Sequence, residues 1–353
     1  MTPTRETVLA ALRCITDPRT GSDLISADII RALTVENGRI RFVMEVDHGD
    51  GETMEAVRVE TVTALEALVG PGNVIAVLTA ENRPAPPPHP GARKSSGEPR
   101  PLKGVKAIIA VASGKGGVGK STVSANLAVA LAALGRRTGM LDADVYGPSQ
   151  PRMLGVSGRP ASPDGQTILP LRNHGVTLMS IGLMTREDEA VVWRGPMLMG
   201  ALQQMLRQVQ WGQLDVLIVD LPPGTGDVQM TLAQQTSVAG AILVSTPQDI
   251  ALLDARKAID MFRKMKTPVL GMVENMSTHI CRRCGHEEHV FGHGGARADA
   301  ERLGLPFLGE IPLDIDIRLA ADGGAPIVVS KPESPQARAF MTIARKLIDD
   351  DIV

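Results

Sequence analysis

The chain has little cysteine, no net basic charge and no long apolar run, and each shortage excludes something. Three cysteines, Cys14, Cys281 and Cys284, are too few and odd in number for a disulfide framework; they fit a reducing compartment where thiols bind metal or sit in a core. A formal net charge of −2 argues against a dominant nucleic-acid surface. No stretch approaches the roughly eighteen uninterrupted apolar residues of a membrane span, and the first residues, Met1 to Glu6, lack an apolar run of the signal-peptide type. These shortages predict a cytoplasmic protein that binds neither nucleic acid nor membrane. No internal repeat is evident. What is present, 43% hydrophobic and 22% charged residues over 353 positions, is ordinary for a globular chain of two or three domains.

Residues 1–80 read as a small α/β domain. Val8, Leu9, Leu12 and Ile15 recur with helical spacing up to Asp17-Pro18, which places Cys14 on the core-facing side as a packing residue. A strand over 39–46, a helix over 53–68 and a strand over 74–78 follow, the last after a Gly/Pro/Asn turn. Residues 81–104 contain seven prolines and few large apolar side chains, the composition of a linker. From 105 to 353, apolar strand-like runs at 105–113, 138–143, 176–181, 214–220, 240–246, 268–274 and 305–309 alternate with helical segments. That alternation predicts an α/β fold with a mostly parallel sheet, helices on both faces and ligands at the carboxyl ends of the strands. The segment from Gln336 to Ile348 is amphipathic, and the acidic run Asp349-Asp350-Asp351 favours a helix docked on the domain over one lying on anionic lipid.

The first of these strands runs into Gly114-Lys-Gly-Gly-Val-Gly-Lys-Ser121, the spacing of a phosphate-binding P-loop. Glycines let the backbone curl so that its N–H groups face phosphate, the helix N-terminus favours the anion, Lys120 reaches the β- and γ-phosphates, and Ser121 can hold Mg²⁺. Gly114, Gly116 and Gly119 also satisfy a dinucleotide pattern, with Asp142 where a ribose-binding acid would lie. A dinucleotide, however, requires neither Lys120 nor Ser121.

Lys115 is not required by the general pattern, and with it the loop resembles the deviant P-loop of the family that includes MinD, ParA and the nitrogenase iron protein. The resemblance implies that Lys115 reaches the nucleotide of a second subunit in a homodimer. It further implies that ATP is cradled by Gly114, Lys115, Gly116, Gly117, Val118, Gly119, Lys120, Ser121 and Thr122, and that Asp144 in the first switch activates water. Leu214 to Asp220 is an apolar strand ending in an acid, so Asp220 is expected to bind Mg²⁺ through water; Asp142 is either a Mg²⁺-organising group or a polar strand end. The continuation Leu221-Pro-Pro-Gly-Thr-Gly-Asp227 resembles the Mrp/ApbC iron-sulfur carrier branch, as do Trp193-Arg-Gly-Pro-Met197, Ser245-Thr-Pro-Gln248 and Glu274-Asn-Met-Ser277. The resemblance covers 105–335 and implies that Asn275 recognises adenine. Residues 1–80 resemble the small domain of iron-sulfur assembly factors.

Cys281-Arg-Arg-Cys284 can supply two thiolates to one metal centre but not four. A two-fold dimer doubles the count, and the resemblance implies a [4Fe-4S] cluster bridging two subunits and passed to apoproteins. Two alternatives stay open: zinc held within one chain with help from His286, His289 or His293, and a redox or structural thiol pair. Arg282 and Arg283 either strengthen cluster retention or are solvated loop charges. The expected function is thus that of a slow ATP hydrolase coupled to cluster transfer. Its rivals are a positioning ATPase that binds DNA or membrane and a zinc-stabilised nucleotide-binding scaffold.

Overall fold

The computed structural model describes residues 4–18, 20–27, 29–36, 38–47, 51–81, 100–184 and 195–353. The Trp193-Arg194 pair and most of the expected linker lie outside the described residues. By internal contacts the chain divides into two compact units, Met1–Lys94 and Ser95–Val353.

In the first unit, α1 (Arg5–Arg13), β1 (Ile30–Glu36), β2 (Arg39–Asp47), α2 (Gly51–Val69) and β3 (Val74–Glu81) form a three-stranded sheet with β2 in the centre, antiparallel to β1 and parallel to β3. Val8, Leu12, Leu24, Ile40, Phe42, Met44, Met54 and Leu65 make its core. Helix α1 ends at Arg13, earlier than the apolar spacing predicts, because the chain turns as the Cys14 N–H bonds the Ala11 carbonyl. Cys14 is therefore a cap residue and exposed, not a core packing residue; Leu12 and Ile15 take the buried positions.

The second unit runs β4 (Val105–Ala112), α3 (Lys120–Ala133), β5 (Thr138–Asp142), α4 (Gln150–Met153), β6 (Leu171–Asn173), β7 (Val176–Ser180), α5 (Gly195–Arg207), β8 (Leu214–Asp220), α6 (Asp227–Gln235), β9 (Gly240–Ser245) and α7 (Asp249–Lys264). It continues through β10 (Val269–Asn275), β11 (His279–Ile280), β12 (Glu287–Glu288), α8 (Gly295–Leu303), β13 (Phe307–Ile311), α9 (Ile315–Asp322), α10 (Ile327–Ser330) and α11 (Pro335–Asp349). The main sheet has the order β13-β10-β9-β4-β8-β5-β7-β6 and is parallel except for the edge strand β6. All seven apolar runs of the sequence are strands of this sheet.

Along β4, alternate residues feed two separate cores. Ile108, Ala110 and Ala112 face the layer containing Leu202, Trp211, Ile259 and Phe262, whereas Ile109 and Val111 face α3 and α11. Helix α3 is buried on nearly every side, and its Ser124, Ala125, Ala128 and Ala130 are small enough to let sheet and α11 approach it together. Helix α11 is fastened by Ala337, Phe340, Ile343, Ala344 and Leu347, all buried, with the Ser334 hydroxyl accepting from the Ala337 N–H as its N-cap. Its apolar stripe is thus consumed within the domain.

Truncating a well-packed phenylalanine removes buried area and leaves a cavity, so Phe340→Ala should cost about 3–5 kcal/mol. Arg345→Ala, on the exposed face of the same helix, should change stability by no more than about 0.5 kcal/mol. Thermal melting of the full chain checks the pair; equal melting points for both variants would refute this placement of α11.

Candidate functional site

The loop from Ser113 to Gly119 leaves β4 at its carboxyl end and enters α3 at Lys120. Gly117 and Gly119 adopt φ of 82° and 79°, where a side chain is strained. Two of the loop's glycines are also demanded by close approach. A Cβ at Gly114 would lie 2.1 Å from the Asp254 backbone of α7, and one at Gly119 would lie 2.2 Å from Asn275 Nδ2. That Asn275 amide donates to the Val118 carbonyl at 2.9 Å, so the end of β10 clamps the loop from outside. Asn275 is buried, and its amide nitrogen is occupied by the loop. The cavity enclosed, about 280 Å³, is lined by Lys115, Gly116, Gly117, Val118, Gly119, Lys120, Ser121 and Thr122 together with Asp144, Ser149 and Pro223. The expected loop residues and Asp144 therefore converge on one space. Lys115 is half-buried and forms no ion pair among the described residues; its carbonyl accepts from the Ser113 hydroxyl.

Beneath the loop lies a buried polar network. Asp142 and Asp220 end adjacent parallel strands as register partners, and neither carboxylate reaches solvent. Lys120 Nζ donates to Asp220 Oδ1 at 2.7 Å and stands 3.7 Å from Asp144. The Ser124 hydroxyl donates to the same Asp220 oxygen, and Gln150 Nε2 donates to the other and to the Ser121 carbonyl. Asp142 accepts the N–H groups of Asp144, Ser149 and Gln150 and the Ser180 hydroxyl. It thereby folds the segment from Asp144 to Gln150 around its own side chain. Burial, and then the adjacent Asp220 carboxylate, push Asp142 up to about 7. Burial also raises Asp144, against the pull of Lys120. Gln150, Ser124 and Ser180 escaped the reading of the sequence. The only local signal, a polar residue just beyond Pro148-Ser149, does not distinguish a buried bridge from a surface turn.

The segment Pro222 to Gly226 is tied down on the opposite side. Gln229, in the first turn of α6, donates to the Pro222 and Gly224 carbonyls and accepts from the Gly226 N–H, while the Gly224 N–H reaches the Ser113 carbonyl.

Six residues after Asn275, Cys281 opens a tight turn between β11 and β12, which pair antiparallel. The Cys281 N–H donates to the His286 carbonyl and the Gly285 N–H to the Cys281 carbonyl, each at 2.8 Å. The N–H of Cys284, then that of Arg283, point at the Cys281 sulfur and hold its thiol below the ordinary range. Cys281 is half-buried and Cys284 exposed. Arg282 turns away from the thiols to pair with Asp314 and with Asp316 at 2.8 Å. Its charge is spent on anchoring the hairpin.

The histidines do not complete a metal site with the cysteines. Among the described residues, no group of three metal-ligating side chains includes a cysteine; His293 instead meets Glu274 and Glu310, and His289 stacks on His293 with ring centroids 4.6 Å apart. A one-chain site of two cysteines and two histidines is therefore not formed. Its spacing was plausible in sequence, but β12 and the following turn carry His289 and His293 to the β10–β13 edge.

Residues 104–348 match the family model described as NUBPL iron-transfer P-loop NTPase, and residues 5–77 match the model of an iron-sulfur cluster assembly protein. An iron-sulfur cluster carrier protein of Haemophilus influenzae is 56% identical over 70% of this chain and 67% of its own length. For the Escherichia coli carrier the values are 55%, 70% and 66%, so the match spans about two thirds of these relatives. A carrier of Synechocystis is 44% identical over 98% of this chain and 97% of its own. Among solved structures, a nucleotide-binding protein of Archaeoglobus fulgidus in complex with ADP is 40% identical, with TM-score 0.58, over 67% of this chain and 92% of that one. The Pyrococcus furiosus cell division ATPase MinD is 28% identical, with TM-score 0.52, over 69% and 98%. With its P-loop, its strand-end acids and its cysteine hairpin in one domain, the chain belongs to the NUBPL-type iron-transfer P-loop NTPase family.

Proposed function

We propose that this chain is an ATP-hydrolysing iron-sulfur cluster carrier that works as a homodimer. In this reading a [4Fe-4S] cluster sits between two copies on Cys281 and Cys284 of each, and is delivered to apoproteins. The observation that carries it is the hairpin. It presents two solvent-reaching sulfurs on a rigid turn, one of them biased towards thiolate, with no third ligand in reach among the described residues of its own chain. Two thiolates cannot close a tetrahedral or cubane site, and a second copy supplies the missing two. Residues 1–80 are read as the part that meets iron-sulfur assembly factors, 81–104 as a tether, 105–353 as the ATPase, and the cytoplasm as the compartment.

The loop residues fit a triphosphate with Mg²⁺: the glycine cradle has no room for side chains at Gly114 and Gly119, Ser121 offers an oxygen on the cavity wall, and Asp220 lies buried beneath it on Lys120. The metal would neutralise charge on the β- and γ-oxygens. Lys120, held by Asp220 here, has the reach to turn onto phosphate. Asp144, 3.7 Å from that amine with its proton affinity raised by burial, is placed to orient and deprotonate water. Lys115, without an ion pair among the described residues, is assigned to the partner's nucleotide, where it offsets charge developing on the transferred phosphoryl group. Asn275 is assigned to the adenine end of the pocket, with its carbonyl oxygen and its second N–H left for the base.

A positioning ATPase is the rival reading, and the MinD likeness in fold does not decide against it. The burial of the α11 stripe speaks against its membrane-binding form, because that apolar face is covered within the domain; pelleting with vesicles or DNA in the presence of ATP separates the two readings.

After anaerobic incubation with iron and sulfide, the wild-type chain should bind roughly four irons per dimer and absorb broadly near 400 nm. Cys281→Ala should reduce both to background; a variant that still held iron at the wild-type ratio would overturn the assignment. Asp144→Asn should lower the rate of ATP hydrolysis by roughly 10²–10⁴-fold while leaving nucleotide binding within a factor of a few. Single-turnover hydrolysis together with fluorescent-nucleotide titration reads the two separately, and an unchanged hydrolysis rate would remove Asp144 from its role.

A further inference from the structure

A second group of ligands lies beyond the cysteine hairpin. Glu274 of β10 and Glu310 of β13 are register partners on adjacent parallel strands, so their side chains leave the same face of the sheet. Like charges at directly opposed positions repel unless a cation lies between them. His293, in the loop between β12 and α8, brings an imidazole to the same point, with Nε2 3.2 Å from Glu310 Oε2. One ligand atom from each of Glu274, His293 and Glu310 lies within 4.8 Å of the other two, the single convergence of three such groups found among the described residues.

The three members differ in mobility. Glu274 is fully buried, and its two oxygens accept from the N–H groups of Gly294 and Ala296 at 2.8 Å, which fixes the carboxylate. His293 and Glu310 are 40% and 39% exposed and free to close on a ligand from the solvent side. The His289 ring, stacked on His293, limits rotation of that imidazole. The protein cation near this pair is Arg297, 4.0 Å from Glu310 with its guanidinium held 4.3 Å above the Phe307 ring. Among the described residues it forms no ion pair with Glu274.

We propose that Glu274, His293 and Glu310 form a binding site for a divalent first-row transition ion of the zinc, cobalt or iron(II) type, with water completing the coordination. The donor set selects that class. An imidazole disfavours magnesium and calcium, and the lack of a thiolate disfavours copper(I) and a cluster. Metal–ligand distances near 2.0–2.2 Å are reached by small rotations of the two half-exposed side chains towards the fixed one. The ion ties the segment that follows the hairpin to the ends of β10 and β13, steadying the base on which Cys281 and Cys284 stand. The site is separate from the cluster reading and holds even if the cysteines carry nothing.

The test uses the full chain with Cys281→Ser and Cys284→Ser, stripped with a chelator, and titrated with Zn²⁺ by calorimetry and with Co²⁺ by visible absorption. About one ion per chain is expected, together with a rise in melting temperature. His293→Ala and Glu310→Gln in that background should each weaken binding by roughly tenfold or more and abolish the metal-dependent rise without lowering the melting temperature of the metal-free chain. No binding by the Cys281→Ser/Cys284→Ser chain, or binding by both variants as strong as by that parent chain, would overturn the site. Because the hairpin cysteines are absent from every arm, a failed cluster assignment and a failed ion site give different results.

Discussion

The ion pair between Lys120 and Asp220 is the constraint on which the rest of the site depends. Packing the sheet on both faces brings the carboxyl ends of β5 and β8 together deep in the domain, and each ends in an aspartate. Two buried carboxylates side by side are unstable unless donors surround them, because burial removes water and each raises the proton affinity of the other. The chain supplies one amine, two hydroxyls, an amide and a row of backbone N–H groups. Those donors come from α3, the first switch, α4 and β7, so satisfying the two acids fixes the positions of four elements at once. A ligand that draws Lys120 away from Asp220 must alter this balance, and such a rearrangement spreads to every segment that shares it.

The large features of the fold were legible because apolar strands buried on both faces need no alternation and announce themselves as runs. What was missed has particular causes. Strand β1 is broken by a shift of register between Arg31 and Thr34, which destroys the two-residue period that would have revealed it. Strand β6 has three residues and borders the sheet on one side only, too little for a pattern. Cys14 was misplaced because apolar spacing runs on past the last helical residue, and only the turn geometry shows where the helix stops.

In the site, Lys115 to Thr122 and Asp144 line one cavity with Asp220 beneath it on Lys120; the loop was legible from its spacing and Asp144 from the family resemblance. Residues defined by partners far along the chain were invisible. Gln150 bridges Ser121, 29 positions away, and Asp220, 70 positions away. The histidines mislead in the opposite direction. Proximity in sequence to Cys281 and Cys284 suggested one shared metal, but β12 redirects the chain, and His293 ends beside two glutamates of different strands. Arg282, likewise, is adjacent to both thiols in sequence and faces Asp314 and Asp316 in space.

Under the proposed function and the proposed ion site, the end of β10 is where nucleotide and metal chemistry meet. Asn275 donates to the Val118 carbonyl and so holds the phosphate loop, while its neighbour Glu274 holds the Gly294 and Ala296 N–H groups just after the hairpin. The two side chains leave opposite faces of one strand, so a displacement of that strand end moves the cradle and the base of the hairpin together. Gly119 makes the link stiff, since Asn275 Nδ2 occupies the space that a Cβ there would take. Under the proposed function this strand end is the shortest covalent route by which nucleotide state reaches Cys281, six residues from Asn275. A coupling carried that way works through position rather than charge, because the groups that bind the phosphate loop and the loop after the hairpin are a neutral amide and a carboxylate satisfied by backbone donors.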